Sequence, residues 1–293
     1  MAVENQLYIG LQPFLECKDH SVSKEKYKLM CNPNYQMLVT LPVPVHLEKY
    51  YNSKNYISHT DGKTSLLEKV YQIVRNHTLK QKLLLIDSFN LKSKNILDIG
   101  AGTGDFLHVC KKNNWNVFGV EPNKTAASIA AKKGVLLKET LQEYQKKQFD
   151  VITLWHVLEH VQNLKEYISI LKNILSKNGR LVIAVPNHKS YDAKYYKEFW
   201  AAYDVPRHLW HFSQNAIQKL FAEENMCIEK KAPMFFDAYY VSLLSEKYKT
   251  GTMNPFKAFY RGFLSNNKAK SSGEYSSIIY VLKKEEDAQI WPF

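Results

Sequence analysis

Between Ile96 and Phe106 the chain reads ILDIGAGTGDF, with glycines at 100, 102 and 104 directly after an apolar run. Glycine admits positive φ and lets a ligand approach the backbone closely, so such a stretch reads as a cradle at a strand-to-helix turn. Two phosphate-binding loops have nearby spellings. A dinucleotide loop needs G-x-G-x-x-G, and Asp105 stands where its third glycine would be. A P-loop needs Lys-Ser or Lys-Thr after the last glycine, and Asp105-Phe106 stands there instead. An acid at a helix N-terminus also opposes the anion that the terminus would attract. The cradle therefore favours a ligand of cationic character without a phosphate.

Two further carboxylates refine that ligand. Glu121 closes the next apolar run and is followed by Pro122, which places a carboxylate over the sheet edge, able to accept both hydroxyls of a ribose. Asp98 lies close before the glycines, placed to hold the loop or an ammonium group. A sulfonium, an amino acid and a ribose satisfy all three features at once, and S-adenosylmethionine carries them.

The elements that must position these residues are legible as alternating periods. NILDIG, WNVFGVE, VLLKE, FDVITLW and RLVIAVPN read as strands. GDFLHVCKKNN, KTAASIAAKKG and the segment 161–179 read as the helices between them. That order predicts a doubly wound parallel α/β sheet with its strand C-termini along one edge. Residues 1–48 read as a β-rich extension with strands at QLYIGL, KYKLMC and QMLVTLP, and residues 49–293 as the main domain. Within it, 188–212 is an aromatic insert and 237–271 a helical, basic insert before the last strand, YSSIIYVLKK.

Composition narrows the partners. The net charge is +12, yet 36 of the 40 basic residues are lysines scattered in ones and twos. Readers of bases and phosphates lean on the arginine fork, so the pattern argues against nucleic acid. No apolar run has the length of a membrane span and the N-terminus lacks a secretory layout, so a cytoplasmic location is expected. Cys17 with His20 and Cys31 with Asn34 echo zinc-ribbon spacing, but Asn34 is no zinc ligand and the extension is expected to be metal-free.

ILDIGAGTGDF, VFGVEPN, FDVITLWHVLEHV and GRLVIAVPN, in this order and spacing, resemble class I S-adenosylmethionine-dependent methyltransferases. PRHLWHFS and VLEHV are similar to segments of the ubiquinone-biosynthesis O-methyltransferase-like branch. The resemblance spans roughly Tyr50 to Val281 and implies a Rossmann-like seven-stranded sheet. It implies that Gly100, Ala101, Gly102 and Gly104 line the methionine part of the donor and that Glu121, with Pro122, meets the ribose. Leu154, Trp155 and His156 would flank the adenine and sulfonium, and Glu139 or Thr140 the adenine edge. Tyr51, Tyr56 and His59, with the insert at Lys194 to His211, are expected to fold over the cofactor.

Residues just past the fourth strand constrain the acceptor. LWHV stands where amino-methylating enzymes of adenine or glutamine carry Asn/Asp-Pro-Pro-aromatic, and no Pro-Cys pair offers a cytosine nucleophile. Both favour a hydroxyl or amine on a small molecule or glycan. An in-line displacement at a sulfonium needs alignment and, for a hydroxyl, a base; His156, His160, His208 and His211 are the candidates. His156, Glu159 and His160 spell H-x-x-E-H, with both histidines on one face if the segment is helical, a spacing able to hold a divalent metal. A metal-free reaction with a histidine base is the preferred expectation. The alternatives are an inactive S-adenosylmethionine-binding scaffold, or a methyltransferase acting on nucleic acid or protein.

Overall fold

The computed structural model describes residues 4–51 and 66–285, which leaves Tyr56 and His59 outside the described residues. A short 3-10 turn, Glu4–Tyr8, drops Leu7 into the core. The strand expected over 6–11 is therefore not formed; Gly10, at φ +68, turns the chain into β1 (Gln12–Lys18) instead. β2 (Lys26–Asn32) and β3 (Met37–Leu41) follow in antiparallel register.

The main body starts with α1 (Leu66–Asp87) and alternates as expected: β4 (Asn95–Ile99), α2 (Asp105–Lys112), β5 (Asn116–Val120), α3 (Lys124–Lys132), β6 (Phe149–Trp155), α4 (Leu164–Ile174), β7 (Leu175–Pro186). α5 (Tyr191–Tyr196), the two-residue β8 (Trp210–His211) and α6 (Gln214–Ala222) come next. The chain closes with β9 (Met226–Pro233), the hairpin of α7 (Phe235–Thr250) and α8 (Pro255–Ser272), and β10 (Ser277–Lys284). The large sheet runs β5-β4-β6-β7-β10-β9, parallel through β7 and antiparallel at β10 and β9.

Its strands are apolar on both faces because both faces are covered. Leu97, Ile152 and Ile183 belong to one buried cluster, while their neighbours Ile96, Val151 and Val182 belong to the other. That is the period-two division of a sandwiched strand. α4 offers Leu164, Ile168 and Leu171 to this core at one-turn spacing.

Among the described residues the sheet has six strands, against the seven expected. VLLKE makes one bridge, Val120 to Lys138, before Thr140 and Glu143 start a 3-10 turn that ends the pairing. The helix expected over 161–179 is also shorter, giving way to β7 after Ile174.

β3 joins the extension to the body. Leu38 pairs with His211 and Val39 with Trp210, so the small sheet runs β1-β2-β3-β8. Met37 and Val39 face the large sheet's core, and Leu38 faces a third cluster with Cys17, Leu29, Trp200 and Tyr203. Burial pushes the Cys17 thiol up to about 12, as befits a core cysteine. None of the described helices is long and apolar enough to cross a membrane.

Candidate active site at the glycine-rich turn

Gly100, Gly102 and Gly104 all stand at positive φ, +70, +55 and +74, where β4 turns into α2. A Cβ on Gly100 would lie 2.5 Å from Val157, and one on Gly104 2.7 Å from Ala130, so these two are fixed by packing. A Cβ on Gly102 would meet nothing within 4 Å. The open space above this one residue is where a ligand can lie against the backbone.

Glu121 shapes the same space. Its Oε2 accepts the Gly102 N–H at 2.8 Å and its Oε1 accepts the Asn123 N–H at 2.9 Å. Each oxygen keeps an acceptor site, which suits a pair of hydroxyls. Burial raises its pKa, and the two N–H groups oppose that rise.

The neighbouring acids serve the scaffold. Asp105 is paired with Arg75 and with Lys133 at 2.8 Å, and accepts the Thr103 hydroxyl at 2.6 Å. Its charge is thus neutralised inside the turn rather than turned towards a ligand, which corrects the role expected from sequence. Asp98 is buried and accepts the Thr153 hydroxyl at 2.6 Å across β4 and β6. Burial pushes it up to about 7. The Lys82 ammonium, itself lowered to about 8 by burial and pulled back up by Asp98, sits 4.0 Å from the Trp155 ring. Asp98 therefore anchors the sheet beneath the loop.

At the end of β6 the Leu154 side chain is fully buried, while Trp155 and His156 are partly exposed. Pro122, Glu139 and Thr140 are exposed beside the loop, and the Thr140 N–H donates to Glu143.

The two histidines of H-x-x-E-H part company. Only Leu158–His160 forms a single 3-10 turn, and His156 precedes it at φ +58, so no shared helical face exists. His156 turns to Asp237, at the start of α7, with Nε2 3.0 Å from the carboxylate, and lies 3.4 Å from Glu159. Burial would lower its pKa; the two carboxylates instead lift it to about 10, so it is an imidazolium and no base.

His160 faces the other way. Its Nδ1 reaches the Arg207 carbonyl at 3.1 Å and the Tyr51 hydroxyl at 3.0 Å, and its ring meets that of His208 edge-on at 4.5 Å. His208 is buried and donates from Nδ1 to the Ala202 carbonyl at 2.9 Å. Burial pushes it down to about 3. Close to both lies Glu159, 1% exposed, neither carboxylate oxygen making a hydrogen bond among the described residues. Among the described residues, Glu159, His160 and His208 form the one group able to hold a metal, their ligand atoms lying within 4.8 Å of one another.

His211 is the clearest correction. It is buried on β8, bonded through Nε2 to the Thr40 hydroxyl at 2.9 Å, and packed edge-on against Tyr203. Burial holds it well below the usual histidine range. It braces the small sheet and presents nothing to an acceptor. Sequence reasoning missed Arg75, Lys133 and Asp237, since no local spacing announces a partner brought in from another element.

Residues 71–229 match the profile of a family described as a methyltransferase domain. The chain is 27% identical over 150 residues to the ubiquinone biosynthesis O-methyltransferase of Rickettsia felis, a match covering 48% of this chain and 60% of that one. It is 32% identical over 105 residues to an uncharacterised protein of Methanocaldococcus jannaschii, covering 35% and 49%. The chain thus spans less than two thirds of the length of these curated relatives. In fold it is similar to the magnesium protoporphyrin IX methyltransferase of Synechocystis, solved with S-adenosylhomocysteine bound (TM-score 0.54, 15% identity, 80% of this chain and 97% of that). It is also similar to a cyclopropane synthase of Mycobacterium tuberculosis (TM-score 0.52, 14% identity, 83% and 99%). At these identities the likeness speaks for the fold alone.

Proposed function

Because the chain belongs to the methyltransferase-domain family, whose methyl donor is S-adenosylmethionine, we propose that it methylates a hydroxyl on a small molecule or glycan. One observation carries the reading. Gly102 leaves open space beside a backbone N–H already held by Glu121, whose carboxylate keeps acceptor sites for ribose hydroxyls. The donor supplies an activated methyl group and a good leaving group. What remains for the protein is to orient the acceptor, exclude water and remove one proton.

His160 is the base in this reading. Unlike His208 and His211 it is partly exposed, and unlike His156 it is not held by Asp237. With Nδ1 bonded to the Arg207 carbonyl, its Nε2 makes no hydrogen bond among the described residues and can take a proton. His208 and His211 are buried and pushed low, which makes them poor bases.

Calorimetry with S-adenosylmethionine tests the donor site. Gly102→Val should abolish binding by filling the cradle, and Glu121→Ala should weaken it by about 1–3 kcal/mol through lost charged hydrogen bonds. No heat with the wild-type protein, or equal affinity in both variants, rejects the site. Labelled donor incubated with metabolite fractions then identifies the acceptor.

A second reading is favoured by the buried Glu159 carboxylate, which has an ion pair with His156 at 3.4 Å but no hydrogen bond among the described residues. His160 and His208 both direct Nδ1 at backbone carbonyls, the arrangement that orients metal-ligating histidines. A divalent cation held by Glu159, His160 and His208 would lower the pKa of an acceptor hydroxyl. Elemental analysis of untagged protein, with activity measured in chelator, separates the two. Full activity without metal leaves His160 as base, and His160→Ala should then cost on the order of 10²-fold in rate.

A further inference from the structure

α8 is built inside out. Ala258, Gly262, Ser265 and Ala269 face inwards, and a Cβ on Gly262 would lie 2.6 Å from Tyr239 on α7. Its aromatic residues face outwards at i, i+3, i+4 and i+7: Phe256 is 89% exposed, Phe259 65%, Tyr260 55% and Phe263 51%. Met253, in the turn before it, is exposed as well. Single exposed apolar residues are ordinary, but one helical stripe of four aromatics is a surface shaped to meet something.

Charge states what that something is. Residues 232–273 contain two acids, Asp237 and Glu246. Asp237 is paired with His156, and Glu246 is buried and accepts the Tyr196 hydroxyl at 3.1 Å. Both therefore point into the protein. The basic residues do the reverse: Lys247, Lys257 and Lys270 are exposed on the hairpin, as are Lys249 and Lys268, which reach over the rings of Tyr195 and Tyr191. A second copy meeting this face by two-fold symmetry would set lysine against lysine, with no exposed acid on the hairpin to offset them. Aromatic side chains among basic ones suit the headgroup layer of an anionic bilayer, where rings bury and ammonium groups meet phosphates.

We infer that the α7–α8 hairpin docks the protein on an anionic membrane surface, with the aromatic stripe of α8 seated among the headgroups. The hairpin does not span the bilayer. It lies in the interface, and because α7 begins at the Asp237–His156 pair, docking sets the candidate active site close to the bilayer. The inference stands on the exposed face and does not depend on the methyl-transfer reading.

Vesicle flotation of the full chain tests it. Wild-type protein should float with phosphatidylcholine vesicles containing phosphatidylglycerol, less with phosphatidylcholine alone, and less again in high salt. The double variant Phe256→Ser/Phe263→Ser should bind on the order of tenfold more weakly, and Lys257→Glu should be weakened chiefly on anionic vesicles. Circular dichroism of each variant should match wild type, since these side chains support no core. Equal binding to neutral and anionic vesicles, or unchanged binding by the double variant, overturns the inference. A wild-type dimer in light scattering that the double variant converts to monomer also overturns it, assigning the face to a second copy.

Discussion

His156 adopts a positive φ that residues other than glycine seldom take, and the turn sends its ring to Asp237. Because the carboxylates hold its pKa at about 10, the folded protein keeps a proton that the unfolded chain releases above roughly 6.5. The stability this contributes is fully present below that pH and is lost as pH rises towards 10. His188 works in the opposite sense: burial pushes it to about 4, and His211 is held well below its usual range. The unfolded chain takes up those protons first, so acidification from about 6.5 removes stability. Melting temperature should therefore be highest near neutrality, and His156→Asn should flatten the alkaline limb while leaving the acid limb alone. An alkaline limb that survives the substitution would show that the Asp237 pair contributes nothing. The glycines give a second contrast. Gly104→Ala forces a Cβ against Ala130 and should destabilise by about 1–3 kcal/mol. Gly102→Ala has room and costs about 1 kcal/mol of backbone strain in thermal melts, yet it should still weaken the donor.

At the level of elements, the features readable from sequence were those that repeat locally. The apolar runs of β4 to β7 and the glycine turn after β4 come from spacing a few residues long. Ser213 caps α6 by accepting the Ala216 N–H at 3.1 Å. Ser213→Ala should cost about 1 kcal/mol by denaturant titration. The failures share one cause. β8 is two residues long and exists because β3 needs an edge partner; nothing in Trp210–His211 alone says strand. H-x-x-E-H looks helical, but the chain there obeys the demands of Asp237 on one side and His208 on the other. The third strand shrank to a bridge because the capping turn after Thr140 interrupts it. The α7–α8 contact shows the same logic at closer range. Gly262→Leu would drive a side chain into the Tyr239 backbone, 2.9 Å from where the Cβ would be, and should part the hairpin at a cost of about 2–3 kcal/mol, read as a lower urea midpoint.

Taken as a whole, the molecule shares one core between its two sheets. Leu7, Met37, Val39 and Leu47 belong to the same buried cluster as Leu97, Ile152 and Ile183. Scanning calorimetry should accordingly show a single transition, and a chain lacking residues 1–44 should be insoluble, since Trp210 and the buried face around it would lose their cover. Two resolved transitions would mean that the small sheet melts by itself. The pairing of Leu38 with His211 has a consequence in time as well as in space. On a ribosome β3 emerges early, and its partner is polymerised only after most of the large sheet has been made. At about 5–20 residues per second the interval is roughly ten to thirty seconds. Throughout it β3 offers an apolar, unpaired strand edge to any nascent neighbour. The newborn chain thus has a period of vulnerability to aggregation written into its topology, and its closing stitch arrives long after the strand it closes.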